Sequence, residues 1–351
     1  MIIKATYHRY LLDFKIPAGT SRGVLTQKET WFLVLERDGK KGIGECGLLR
    51  GLSSDDRPDY EAKLQWVCEN IAMGEQALWQ ALMEFPSIQF GVEMAFASLE
   101  SGHPFELFPS EFTKGRSSIP INGLVWMGDE SFMKQQIEQK IADGFTCIKL
   151  KIGAIDFEKE LDLLRFIRTH FSKEQMEIRV DANGAFTFEN ALDKLNQLSG
   201  LDIHSIEQPL KKGQPDKMAK LCNATPLPIA LDEELIGVFN TAQKQMLLET
   251  IRPQYLIFKP SFIGGFRGTR QWIDLAGQYG IKWWVTSALE SNIGLNAIAQ
   301  FTHTLGNPMP QGLGTGGLYT NNFDSPLVVR DGALHYDPQI HWSIDTGFFS
   351  F

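Results

Sequence analysis

Five ionisable residues, each near the end of a short apolar run, constrain this chain more than any other feature. Lys151 closes Cys-Ile-Lys-Leu-Lys, Asp181 sits in Arg-Val-Asp-Ala-Asn-Gly and Glu207 in Ser-Ile-Glu-Gln-Pro. Asp232 follows in Ala-Leu-Asp-Glu-Glu and Lys259 in Ile-Phe-Lys-Pro. Stepping from 151 to 181, 207, 232 and 259, the intervals are 30, 26, 25 and 27 residues. A strand, its crossover helix and the return occupy roughly 30 residues. The five therefore fall at equivalent heights on five consecutive parallel strands. A parallel strand buried on both faces is otherwise nearly all apolar, so each charge is an exception that needs a reason.

The flanking pattern predicts a barrel. From about residue 118, candidate strands at 119–126, 147–152, 177–183, 203–209, 229–234, 255–260, 282–289 and 310–314 alternate with amphipathic helices. Such a series reads as α/β, a modified (β/α)8 barrel of TIM type over residues 116–319, rather than an open doubly wound sheet. No GxGxxG follows a strand to favour a dinucleotide fold. Residues 1–115 have a different grammar. A loop at 13–23 precedes a strand at 30–37, Asp38-Gly39 signals a hairpin turn, and a return strand runs through Cys46. A second loop at 47–57 leads into helical periodicity over 59–102. This reads as an α+β capping domain, rejoined by a C-terminal segment, 320–351, in which Asp331-Gly332 marks another hairpin.

Charge and cysteine usage narrow the partners. The net charge is −8, without a Lys/Arg run, so no basic surplus is available for nucleic acid. No apolar stretch is long enough for membrane insertion, and the first ten residues carry no secretory hydrophobic run. The four cysteines, Cys46, Cys68, Cys147 and Cys222, are scattered without a CxxC or zinc spacing. A cytoplasmic protein with reduced thiols, acting on a small-molecule carboxylate, is the expectation. Oligomeric state stays open.

Barrel active sites are built at the C-terminal ends of the strands. Three carboxylates converging there do not all stay ionised without a cation. An all-oxygen donor set without Cys or His favours a hard ion, Mg2+ with Mn2+ possible, over zinc. Asp181, Glu207 and Asp232 are the candidate ligands. Lys151 and Lys259 flank them from the strands on either side, placed to act as base and acid on opposite faces of a bound carboxylate. Rim salt bridges are the plain alternative, but two lysines do not balance three acids. Lys149, two residues before Lys151, shares its face and is placed to lower its pKa. Such a pair also suits an exposed edge strand. Arg179 and Asn183 share the face of Asp181, and Ser287, Glu290 and Gly314 are candidates to line the pocket. Two other classes are compatible with the barrel: a Schiff-base lysine enzyme and a non-catalytic metal-binding protein.

With Lys-x-Lys, Asp-Ala-Asn, Glu-Gln-Pro, Leu-Asp-Glu and Lys-Pro in this order, the chain resembles the enolase superfamily, in its muconate-lactonizing branch. The resemblance runs over essentially the whole length. It implies Lys151 as base, Lys259 on the opposite face, and Asp181, Glu207 and Asp232 as Mg2+ ligands. Within the branch the chain is most similar to the o-succinylbenzoate synthases of menaquinone biosynthesis, to which Arg179, Ser287 and the Gly312–Gly314 stretch correspond. That likeness implies a lyase that dehydrates a succinyl-bearing cyclohexadiene carboxylate. The alternatives inside the superfamily are N-succinylamino acid racemase and dipeptide epimerase. The Asp-x-Asp usual in dipeptide epimerases is replaced here by Gly-Leu-Gly. The loops 14–29 and 47–57 are expected to close over the mouth.

Overall fold

The computed structural model of the protein describes residues 2–20 and 23–344. Its first part is a three-stranded antiparallel sheet of β1 (Lys4–Thr20), β2 (Gly23–Arg37) and β3 (Lys40–Cys46). Asp38 and Gly39 join β2 to β3 with φ of 52° and 76°. Two successive positive φ values define the type I′ turn that matches the strand twist. The loop expected at 13–23 is instead an extension of the β1/β2 hairpin, and residues 21 and 22 lie outside the described residues. The pairing register slips between Asp13 and Ala18. A bulge there accommodates Pro17, which an edge strand tolerates because its missing N–H faces no partner.

The helical stretch divides into α1 (Tyr60–Glu69), α2 (Gly74–Ala81) and α3 (Pro86–Glu100). Gly74, at φ 79°, breaks the first run, and Pro86 opens α3 where its missing N–H costs nothing. α3 lies directly on β3. A Cβ at Gly44 would stand 1.9 Å from the Gly91 carbonyl oxygen, and one at Gly42 2.3 Å from that of Ala95. Both obstacles are backbone atoms, which cannot swing aside. The Gly-Ile-Gly sequence is what lets helix and sheet touch, and the next residue, Glu45, is held at that contact.

The remaining elements are β4 (Ser118–Pro120), β5 (Gly123–Val125), α4 (Glu130–Ala142), β6 (Cys147–Lys151), α5 (Phe157–His170), β7 (Glu177–Asp181), α6 (Phe188–Ser199) and β8 (Ser205–Glu207). They continue with α7 (Pro215–Ala224), β9 (Ile229–Leu231), α8 (Thr241–Ile251), β10 (Tyr255–Phe258), α9 (Pro260–Ile263), α10 (Gly265–Gln278), β11 (Lys282–Val285), α11 (Asn292–Thr304), β12 (Leu327–Arg330) and β13 (Ala333–Tyr336). β5 to β11 form one parallel seven-stranded sheet in sequence order. The eighth strand expected at 310–314 is reduced to single bridges from Gln311 to Ile121 and from Gly312 to Thr286. Gln311 N donates to the Pro120 carbonyl and Gly312 N to that of Val285, both at 2.8 Å. These contacts close the ring, while the glycines around them supply no side chains to pack a longer strand. The strand expected at 119–126 also divides. β4 joins β12 and β13 in a separate antiparallel sheet, and only β5 enters the barrel.

Alternation along the barrel strands separates two tasks. Ile148, Leu150, Ile178, Val180, Ile206, Ile229 and Leu231 are fully buried in the main core. Each such residue stabilises the fold by about 1.5–3 kcal/mol. The intervening positions, Lys149, Lys151, Arg179, Asp181 and Glu207, belong to the opposite face and point into the barrel. No helix among the described residues is long and apolar enough to cross a membrane. Because α3 has no room to retreat from β3, Gly44→Ala is expected to destabilise the protein by at least about 2 kcal/mol through overpacking. Thermal unfolding measures this, and a midpoint unchanged from wild type would contradict the described contact.

Candidate active site

Strand register sets the site. Lys151 pairs with Asp181 across β6/β7, and Asp181 with Glu207 across β7/β8. Glu207 pairs with Ala230, so Asp232 stands two residues further on, just past the end of β9. Lys259 follows Phe258 at the end of β10 and caps α9. Pro260, at the first position of that helix, stops the strand there. One layer deeper, Lys149 is level with Arg179 and Ser205.

The acids are enclosed and the lysines reach them. Asp181, Glu207 and Asp232 are 1–2% exposed. One Asp181 oxygen, Oδ2, lies 3.0 Å from Lys149 Nζ and 3.1 Å from Lys151 Nζ. The two like charges predicted to oppose each other are thus bridged by a carboxylate oxygen. Lys149 also binds Glu207, and Lys259 binds Asp232. Burial raises the pKa of Asp181, but Lys149 and Lys151 outweigh it and hold the carboxyl below its usual range. Burial, with Asp181 beside it, pushes Glu207 well above the ordinary carboxyl value. Burial depresses Lys149, yet Asp181 and Glu207 overcome this and keep its ammonium group protonated. Three ammonium groups thus meet three enclosed carboxyls, and the cost of burying Glu207 is the part left uncompensated.

Among the described residues no three His, Cys, Asp or Glu side chains converge as a ready-made metal cage. The donors nevertheless suit a hard divalent cation. All are carboxylate oxygens on neighbouring strand ends, and Glu207 Oε1 is buried without a hydrogen-bond partner. A cation would relieve both that orphan oxygen and the raised pKa of its carboxyl.

A cavity of about 460 Å³ opens above this layer. Lys149, Lys151, Asp181, Asn183 and Lys259 reach it, as do Ser287 and Gly314. Glu207 and Asp232 sit behind the lysines that bind them. Arg179 does not reach the cavity. Its side chain donates to Glu177 at 2.7 Å and to the Pro310 carbonyl at 2.9 Å, and stacks 4.1 Å from the Trp284 ring centroid. Parity puts it on the inward face, level with Lys149, but its side chain turns to Glu177, Pro310 and Trp284. Glu290, also expected near the pocket wall, is fully enclosed.

Asn183 has a second role that its position alone did not reveal. Its Oδ1 accepts from Lys151 Nζ at 2.7 Å, while its Nδ2 donates to Glu233 at 3.0 Å. Glu233, an acceptor, thereby fixes which end of the amide faces the lysine. It lines the cavity and was missed, although it directly follows Asp232 in Leu-Asp-Glu-Glu. Gln208 of Glu-Gln-Pro is likewise structural: its Oε1 accepts from Asp232 N and Glu234 N, each at 3.3 Å. Ser287 pairs with Thr315 at 2.6 Å. Leu25, Leu49, Arg50 and Leu52 cover the cavity from the capping elements.

Known protein families match both parts of the chain. Residues 133–340 match the family model described as enolase C-terminal domain-like, and residues 2–99 match the MenC N-terminal domain. The o-succinylbenzoate synthase of Desulfotalea psychrophila is 49% identical over 95% of this chain and 98% of its own length. The crystal structure of MenC from the same organism superposes with a TM-score of 0.84 at 45% identity, covering 95% and 99% of the two chains. The L-Ala-D/L-Glu epimerase of Bacillus subtilis shares the fold, at a TM-score of 0.82 and 20% identity over 98% of this chain and 99% of that one. The chain belongs to the o-succinylbenzoate synthase family of the enolase superfamily.

Proposed function

We propose that this chain dehydrates 2-succinyl-6-hydroxy-2,4-cyclohexadiene-1-carboxylate to o-succinylbenzoate, a reaction of menaquinone biosynthesis. The observation that carries the reading is the facing pair Lys151 and Lys259 across one cavity in a chain 49% identical to an o-succinylbenzoate synthase. Asp181, Glu207 and Asp232 would hold the divalent cation on which the superfamily depends, Mg2+ by the all-oxygen donor set, with Mn2+ able to replace it. That ion supplies Lewis-acid stabilisation of negative charge developing on the substrate carboxylate.

The chain's own residues do the rest. Lys151 Nζ takes the proton from the carbon bearing the carboxylate. The C–O bond to the ring hydroxyl then breaks, and the proton on Lys151 Nζ leaves with the hydroxide as water. Lys259, held by Asp232, presents its ammonium group to the other face of the ring, where a cation–π contact stabilises the charge in transit. Asn183 holds the Lys151 side chain in line, and Lys149 balances Asp181 and Glu207. Ser287 and the Gly314 backbone shape the wall around the succinyl arm. The capping residues Leu25, Leu49 and Leu52 exclude water from the mouth.

The division into a cap (1–115 with 320–351) and a barrel (116–319) is part of the same proposal. It is supported by Asn321 of the return segment, whose Oδ1 accepts from Asp13 N at 2.8 Å. Residues 345–351 lie outside the described residues. A cytoplasmic location is consistent with the four free cysteines.

Lys151→Ala is expected to lower kcat by roughly 10²–10⁴-fold, the scale of a lost general base, with Mg2+ affinity retained in a calorimetric titration. Near-normal turnover would remove Lys151 from the base role. Activity is further expected to vanish in EDTA and to return with Mg2+ or Mn2+. Turnover that persists through exhaustive chelation would defeat the carboxylate assignment.

A further inference from the structure

Between cap and barrel lies a second set of buried charges that the proposed chemistry does not use. Lys28 of β2 is 2% exposed, and Glu45 of β3 and Glu290 beyond β11 are 0% exposed. Glu45 receives four hydrogen bonds. Oε1 accepts from Thr30 Oγ1 and Ser291 N, each at 2.9 Å. Oε2 accepts from Ser291 Oγ at 2.5 Å and Gly294 N at 2.9 Å. Ser291 is the N-cap of α11, so a carboxylate of the cap sits on the positive end of a barrel helix. There is no space for anything larger at the contact, since a Cβ on Gly294 would come within 2.7 Å of Glu45 Oε2.

Glu290 makes the connection towards the active site. One of its oxygens accepts from Ser261 Oγ, two residues after Lys259. The other accepts from Ala288 N at 2.7 Å, in the cavity wall. Lys28 Nζ stands 4.0 Å from Glu45 Oε1 and makes no hydrogen bond of its own. Burial pulls the Lys28 pKa down, and Glu45 and Glu290 push it back up. Burial raises Glu290, and Lys28 opposes it. Tyr319 donates to the Leu289 carbonyl at 2.7 Å, next to Glu290 in sequence. A lysine without hydrogen bonds in a dry interior is costly. The enclosed carboxylates beside it supply the opposite charge that offsets this cost.

We propose that Lys28, Glu45 and Glu290 form a buried charge triad that locks the cap onto the barrel and sets the distance between Lys259 and the Ser287–Leu289 wall. They are positioning residues, since none of them reaches the cavity. Lys28 offsets part of the charge of the pair, Glu45 anchors α11, and Glu290 ties the Lys259 segment to the wall facing it. The kinetic consequence rests on the proposed dehydration, whereas the electrostatic one does not.

A double-mutant cycle on the full chain tests both. Lys28→Met leaves two enclosed carboxylates without a cation. Its thermal midpoint is expected to fall by at least about 5 °C, and its KM for the cyclohexadiene substrate to rise about tenfold. Adding Glu290→Gln removes a matching negative charge. The double variant should regain more than half of the lost midpoint, where independent effects would add. Losses that simply add overturn the triad. Glu290→Gln alone keeps Lys28 matched by Glu45. It is expected to fold with a midpoint near wild type and a raised KM, at unchanged Mg2+ affinity. This variant carries the test if Lys28→Met does not fold. An unchanged KM in Glu290→Gln overturns the positioning role. A wild-type protein inactive on the substrate counts against the proposed reaction, while the midpoint cycle still decides the triad.

Discussion

Carboxyl groups buried so deeply that the ammonium groups around them only partly offset the cost are the condition on which the centre of this protein depends. Asp181, Glu207 and Asp232 sit on adjacent strand ends, almost without solvent. Water cannot screen them there, and interactions at that depth are several times stronger than at the surface. Lys149, Lys151 and Lys259 lie on the acids for that reason. They relieve Asp181 but leave Glu207 with a raised pKa and an orphan oxygen. An arrangement of this kind is poised to accept a small, highly charged cation.

Holding such a centre requires rigid surroundings, and two packing devices supply them. Within the barrel, the outward apolar row fixes strand register, so a one-residue slip would turn every charged side chain into the core. Between the parts, the bare backbone of Gly42 and Gly44 brings α3 into contact with β3. That contact delivers Glu45 to the first turn of α11. The same helix α3 reaches α10, where Glu93 accepts from Phe266 N at 2.5 Å and Arg267 N at 3.1 Å. Carboxylates of the capping part therefore occupy the N-termini of two barrel helices.

The parts of this structure legible in the sequence are those under the strictest periodic constraint. A βα unit has a nearly fixed length, and a strand has a period of two. Counting from Lys151 to Lys259 therefore placed the five charged side chains at the C-terminal ends of five consecutive strands. Reach is less legible, because parity gives the face of a strand and not which neighbours a long side chain turns to. Arg179 is the example: inward, as expected, but spent on Glu177, Pro310 and Trp284. Breakers mislead where tertiary context absorbs them. Pro17 and Gly19 read as a loop, yet a bulged edge hairpin contains them. The glycine-rich run at 310–314 read as a strand, yet only Gln311 and Gly312 pair. Glu233 and the Lys28–Glu45–Glu290 group stayed hidden because their partners come from distant segments, and no local pattern records that proximity.

The two ends of the chain meet on the first hairpin. Tyr10 donates to the Asn321 carbonyl at 2.8 Å, Asn321 Nδ2 donates to the Leu11 carbonyl at 2.8 Å, and Lys15 N to that of Leu318 at 2.9 Å. Leu25, on the returning strand of that hairpin, covers the cavity. The stiffness of this cover is thus governed from the far end of the polypeptide, some 300 residues away in sequence. Selectivity for the shape of a substrate becomes a property of the closed loop of chain as a whole. A substitution that removes the Asn321 contacts would loosen the cover while leaving every residue of the charged layer unchanged.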